Sequence, residues 1–330
     1  MSALKGGILQ SIAIIIPSKD RLHYCLAQIK YYKKLNFEGK LVIIDSSSES
    51  DFSVLENESK KIGYANLKLL NNPSFSTHQA IEFGLKQVEN SCKYFVFSGD
   101  DDFFVVDGIY KATHFLDLHP DFIGVVGKGI VAKHIDLKDG IGIGWVRTYW
   151  KPRNISDENR LVRASAISRR YINLEFAVKR VSVCVGNQIL MNKVFGKVEF
   201  NKATDLEICS TLAIVLTGKI KYLKTRFLIR GDHNARPNLV NKPLDFDPAG
   251  ERRNNLILYL SAVLNKFDKS LGIQAENIIT YFFATVKEKK QRRARVSTKF
   301  YFLFVRALKK FHGIVLRHYY KKYFNAFFRS

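Results

Sequence analysis

The chain has 330 residues, 46% of them hydrophobic, which is enough to bury a sizeable core and counts against global disorder. Four cysteines, Cys25, Cys92, Cys184 and Cys209, stand far apart with no CxxC pair, which argues against a zinc site and for a reducing compartment. The net charge of +23 implies an anionic partner and is unevenly spread: from Lys287 to Ser330 fourteen Lys and Arg face one acid, Glu288, placing +13 in the last 44 residues.

The N-terminus reads as lacking a signal peptide, because Ile12–Ile16 is a short apolar run closed by Pro17. No stretch approaches the ~20 apolar residues that cross a bilayer. The expectation is a cytoplasmic protein, peripheral on the inner face of the plasma membrane. Along the chain, Ile12–Pro17 reads as a buried strand and Arg21–Lys34 as a helix with Leu22, Leu26 and Ile29 apolar. Leu41–Asp45 is a second strand, and Ser46-Ser47-Ser48 marks a loop and helix start. Leu67–Leu70 is a third strand and Thr77–Val88 a helix, with Gly84 inside it at some cost in propensity. Tyr94–Phe97 is a fourth strand, Gly108–Leu118 a helix and Phe122–Val126 a strand. This alternation predicts βαβ units and a mostly parallel sheet flanked by helices, with ligands bound beyond the strands' carboxyl ends. Later, Gly140–Gly144 reads as a flexible or tightly packed turn region, Ser156–Val178 as helical, Asp205–Leu216 as a helix and Lys219–Arg230 as a strand or hairpin edge. The division expected is a domain over 1–240 and a helical C-terminal region over 241–330.

The most informative run is Ser98-Gly99-Asp100-Asp101-Asp102, directly after the fourth strand. Three adjacent carboxylates repel one another, and at a strand's end they suit a divalent cation with hard oxygen ligands. The same residues also read as a solvated acidic turn leading to a helix capped near Asp107. Pro17–Asp20 and Asp45–Ser48 fall at strand ends too, which favours the metal reading.

Ile-Ile-Ile-Pro-Ser-Lys-Asp-Arg (14–21), Val-Ile-Ile-Asp-Ser-Ser-Ser (42–48) and Ser-Gly-Asp-Asp-Asp (98–102), in that order, resemble the GT-A fold nucleotide-sugar glycosyltransferases, family 2-like bacterial enzymes of surface-polysaccharide synthesis. The match covers roughly residues 10–130. The resemblance implies that Pro17, Ser18, Asp20 and Arg21 line the nucleotide site and that Asp45 bonds the base. It implies Asp100 and Asp101 toward the donor sugar, and Asp102 with Asp100 on Mn²⁺ or Mg²⁺. For Asp20 and Asp45, helix-cap or turn roles stand beside these. The family's catalytic base lies in an Asp-x-Glu-apolar context, which Asp205-Leu206-Glu207-Ile208 fits, Asp205 ahead of Glu207; plain capping of the helix is the other reading. His233 is a possible further metal ligand or a surface residue, while Arg230 and Arg236 suit a diphosphate. The donor implied is a nucleoside-diphosphate sugar, UDP favoured, and the acceptor a glycan or lipid-linked saccharide. Lys19-Asp20 and Ser46–Ser48 depart from the family's commoner residues and put the nucleobase in doubt. A nucleotidyltransferase is a second enzymatic reading, but the Gly-rich phosphate loop it needs is missing after the first strand.

From Lys299 onward aromatics interleave with cations, and Arg306, Lys310, Arg317 and Lys321 recur on one helical face. This predicts an amphipathic helix on an anionic membrane surface. Packing on the protein itself is the alternative, and nucleic acid fits less well for want of an accompanying motif.

Overall fold

The computed structural model describes residues 11–137, 140–150, 152–195, 203–232, 251–266 and 269–295. β1 (Ile12–Ser18) is an almost unbroken β-branched run whose residues 12–16 are fully buried. Such a run suits a strand covered on both faces. It pairs in parallel with β2 (Lys40–Asp45) on one side and β4 (Tyr94–Phe97) on the other, and β3 (Leu67–Asn71) extends the layer beyond β2.

Helices α1 (Leu22–Lys34), α2 (Glu49–Ile62) and α3 (Thr77–Val88) connect these strands. Ser48 caps α2 by accepting from the Asp51 N–H, and Gly63 closes it at φ 64°. Ser76 and Gln79 form a capping box on α3. Gly84 has a packing reason: a Cβ there would meet Ile15 Cγ2 at 2.7 Å and Ile44 Cδ1 at 2.8 Å, so its absence lets α3 lie close on β1 and β2.

After β4 the chain re-enters the sheet at once as β5 (Asp102–Phe104), which pairs antiparallel with β9 (Lys219–Asp232). α4 (Val106–Leu118) leads to β6 (Phe122–Leu137), which continues well past the expected Val126. β6 runs parallel to β9 and antiparallel to β7 (Gly140–Trp150) and β8 (Val178–Arg180), and β8 joins this half to β4. The strand order is β3-β2-β1-β4-β8-β6-β9-β5, with β7 added on β6.

Two sequence expectations are corrected. Gly140–Gly144 is the start of β7, with Gly140 opposite Leu137 and Gly142 opposite Ile135. Its glycines alternate with isoleucines, which is the period of a strand. Ser156–Val178 is not one helix: only α5 (Arg160–Arg169) is helical, with Asn159 capping it by accepting from the Leu161 N–H. Buried Arg163 donates to the carbonyls of Asp157 (2.6 Å), Glu158 (2.9 Å) and Val215 (2.7 Å). It thereby satisfies the carboxyl end of α7 (Ala203–Thr217), where free carbonyls and the helix dipole favour a cation. Beyond α5, Asn173 accepts from the Glu175 N–H, a local bond that competes with helix.

One apolar core packs α1 and α4 on the sheet, with Ile29, Tyr32, Phe103 and Ile109 in it. A second sets α3 and α6 (Val181–Phe195) against β1 and β2. In a third, α5 and α7 share buried Ile167, Ile208 and Leu212 with Tyr259 of α8 (Glu251–Asn265) and Phe282 of α9 (Gln274–Arg295). Among the described residues no helix is long and apolar enough to cross a membrane.

Candidate functional site

The carboxyl ends of β1, β2 and β4 meet at one rim of the sheet, where Ser18 and Asp45 are register partners and the acidic run follows Phe97. Asp100, Asp101 and Asp102 are all buried, which rules out the solvated-turn reading. Burial of like charges has to be compensated, and α1 supplies the compensation. Arg21, at its N-cap, places Nη1 3.2 Å from Asp100 Oδ1 and Nη2 3.8 Å from Asp101 Oδ2, with the guanidinium 4.3 Å over the Tyr24 ring. Ser18 Oγ donates to Asp100 Oδ2 at 2.9 Å. Burial still pushes the Asp100 carboxyl up to about 7, with the Asp101 and Asp102 charges adding, against the pull of Arg21 and Ser18. Beneath it, burial drives the Cys25 thiol up to about 12, which leaves it an inert core residue.

The loop's backbone is held from inside. Gln28, fully buried on α1, donates through Nε2 to the carbonyls of Asp100 and Asp102, both at 2.7 Å. Ser98 Oγ donates to the Asp102 carbonyl at 2.9 Å, and the Gly231 N–H of β9 donates to Asp102 Oδ1 at 3.0 Å. Gly99 leaves a hollow in which a Cβ would lie 2.9 Å from Asp101 Oδ1 and 3.2 Å from Asp102 Oδ2. Two carboxylate oxygens therefore border Gly99, hard-oxygen donors of the kind that Mg²⁺ or Mn²⁺ takes together with substrate phosphates. Among the described residues no set of three His, Cys, Asp or Glu side chains forms a complete metal site.

Asp45 is buried, and its Oδ1 accepts from the Ser47 N–H (3.2 Å) and Oγ (2.6 Å); burial raises its pKa against those two bonds. Ser47 Oγ also accepts from the Asp20 N–H at 2.7 Å. Asp20 itself is exposed at φ 56°, and α1 has no side-chain cap, so the cap reading of Asp20 fails. The cap near Asp107 fails as well: Val105 is the N-cap of α4, and Asp107 lies within its first turn. On β9, Arg230 stands directly opposite Asp102 in the β5–β9 register. Its Nη1 donates to the Tyr149 hydroxyl, and its guanidinium lies 4.8 Å over the Tyr149 ring and 5.3 Å over that of Phe176. Arg236 and His233 lie outside the described residues.

No family model matches the chain, and no curated protein matches it by sequence. Solved structures do. That of TarS 1-349 from S. aureus in complex with UDP-GlcNAc superposes with a TM-score of 0.51 over 83% of this chain and 73% of that one, at 15% identity. The chain has the GT-A fold. Lower-scoring GT-A likenesses are the mannosyltransferase PcManGT from Pyrobaculum calidifontis in complex with GDP-Man and Mn²⁺ (TM-score 0.41, 11% identity, 96% and 85% coverage) and GalNAc-T7 with UDP, GalNAc and Mn²⁺ (0.47, 12%, 84% and 55%).

Within this GT-A frame, the second carboxylate pair lies on α7. Asp205 is the third residue of that helix by its backbone bounds. Glu207, two residues on, accepts from the Tyr171 hydroxyl at 2.7 Å, and burial raises its pKa. Beside it, burial and the Glu207 charge push Glu175 up to about 8, while burial lowers Lys179, whose Nζ donates to the Glu175 carbonyl at 2.7 Å. Glu175 is followed by Phe176, which packs on Phe97, Phe104 and Arg230, so this cluster adjoins the acidic loop through one aromatic ring. Gln28, Tyr149, Tyr171 and Glu175 were not legible as site residues. Gln28 had a signal: it is a polar residue inside the buried stripe Tyr24, Cys25, Gln28, Tyr31 and Tyr32 of α1.

Proposed function

We propose that the protein is a metal-dependent, inverting glycosyltransferase that moves a sugar from a nucleoside-diphosphate donor, UDP favoured, to a glycan or lipid-linked acceptor in surface-polysaccharide synthesis. The observation that carries this reading is the buried acidic loop at the carboxyl ends of parallel strands, with Asp101 and Asp102 bordering Gly99 on a GT-A frame. Pro17, Ser18, Asp20 and Asp45 line the rim where the nucleoside sits, with Asp45 facing the base. Asp101 and Asp102, with His233, would hold Mn²⁺ or Mg²⁺, and Asp100 would address the donor sugar. When bound, the cation neutralises charge developing on the diphosphate leaving group. Arg21 and Arg230 orient the phosphates by planar, charge-assisted bonds.

Asp205 accepts the proton of the acceptor hydroxyl as that oxygen bonds to the anomeric carbon and the nucleoside diphosphate departs from the opposite face. Glu207, with its pKa raised, stands close in sequence as the second carboxylate. The basic, aromatic segment beyond Lys299 brings the enzyme to an anionic inner membrane face, where a lipid-linked acceptor resides.

A thermal-shift screen over nucleotide sugars tests the reading. With Mn²⁺ present, at least one UDP- or GDP-sugar raises Tm, and EDTA removes the rise. No shift with any donor would favour a non-catalytic binding protein on the same fold.

A further inference from the structure

We propose that the outer face of β7 is an acceptor subsite for an acidic saccharide, with Trp145 as the stacking platform and Arg147 as the anion ligand. This rests on the glycosyltransferase reading and adds to it where the acceptor lies and what charge it carries.

The strand registers place the subsite. Asp102 is opposite Arg230, Arg230 is beside Val131, and Val131 is opposite Arg147. Partners in register point to the same face of a sheet, and side chains alternate along a strand. Arg147 therefore shares the face of Arg230 and Asp102; Trp145 lies at a register shift between β6 and β7, and its ring, 5.5 Å from the Arg147 guanidinium, joins it to that face. Three strand spacings separate Arg147 from Asp102, about 14 Å. An acceptor lying across β6 and β9 would reach the acidic loop with its end and β7 with its interior.

The chemistry of the pair fits such a chain. Trp145 is 47% exposed, and the exposed Arg147 guanidinium sits 5.5 Å from its ring centroid. An exposed indole offers a flat apolar surface for the C–H face of a pyranose. A guanidinium held against that ring by cation–π attraction presents a planar donor fork to phosphate or carboxylate. Tyr149 and Arg230 continue the aromatic-cation pattern toward Asp102. Among the described residues β7 pairs with β6. Excluding the last 44 residues, the chain still carries +10, which attracts an anion.

The only two tryptophans are Trp145 and Trp150, so the Trp150→Phe protein reports Trp145 by its own fluorescence. It is titrated with phosphorylated mannopentaose, with neutral mannopentaose and with inorganic phosphate. The proposal expects a saturable emission change for the phosphorylated sugar, at a concentration about tenfold or more below that for the neutral one, and Arg147→Gln should abolish that preference. Calorimetry on Trp145→Ala, in the otherwise native chain, covers a misfolded Trp150→Phe: it should lose the saccharide and keep the thermal shift given with Mn²⁺ by whichever UDP- or GDP-sugar stabilises wild type. Saccharide binding without any donor shift would retain the subsite and sink the transferase reading. No saturable change with either sugar, equal binding of phosphate alone, or tighter binding of a single-stranded oligonucleotide would overturn the subsite.

Discussion

The backbone N–H of Gly231 donates to Asp102 Oδ1 at 3.0 Å, joining the acidic loop to the end of β9 across 129 positions of sequence. The carboxylate therefore has a structural bond as well as a proposed chemical role, and two substitutions separate them. Asp102→Asn keeps an acceptor oxygen for Gly231 and should melt within about 1 kcal/mol of wild type. Asp102→Ala leaves a buried N–H unpaired and should lose about 1–3 kcal/mol. Urea unfolding of both variants checks the difference.

Gln28 is the loop's internal brace. Gln28→Leu strands the Asp100 carbonyl, held at 2.7 Å, and leaves the Asp102 carbonyl with Ser98 Oγ as its side-chain donor. We expect a loss on the order of 1–3 kcal/mol, the cost of one unmade buried bond. Differential scanning calorimetry of the two proteins measures it.

The buried Asp100 carboxyl makes metal-free stability depend on pH. Its folded pKa stands near 7 against an ordinary 3.8, so between those values the folded protein holds a proton that the unfolded chain releases. This contribution is fully present below about pH 3.8, is lost as pH rises to about 7, and then stays level. In EDTA, Asp100→Asn should match wild type at pH 4 and exceed it by roughly 2–4 kcal/mol at pH 8. Denaturant titrations across that range decide it; a constant difference would contradict it.

The membrane role proposed for the tail predicts co-sedimentation of the full chain with anionic phosphatidylglycerol vesicles and not with neutral phosphatidylcholine. Replacing Arg306, Lys310, Arg317 and Lys321 with Gln removes four contacts of about 1 kcal/mol each and should weaken binding about a hundredfold or more. Raising salt to 1 M should act in the same direction.

The first half of the fold was legible because its strands are short apolar runs and two of its helices, α2 and α3, carry side-chain caps at Ser48 and Ser76. The acidic loop was legible for the same reason: three carboxylates after an apolar strand are conspicuous. What lay hidden was set by distant partners. Arg163 lies in a stretch that reads as one helix, yet its guanidinium serves carbonyls at the end of α7, some fifty residues away in sequence. Gly140–Gly144 reads as a turn because glycine disfavours both regular structures, and only pairing with β6 makes it a strand. Asp101 stands beside Asp102 over Gly99, while Asp100 turns to Ser18 and Arg21, a division that three identical side chains in a row cannot reveal.

The central claim is tested most directly by nucleoside-diphosphate release from the donor that gives the largest thermal shift, measured for wild type and Asp102→Asn with Mn²⁺ and with EDTA. The account predicts turnover in wild type with Mn²⁺, a fall of at least about a hundredfold in EDTA, and a similar fall in the folded Asp102→Asn protein. Turnover unchanged by chelation and by the substitution would contradict it.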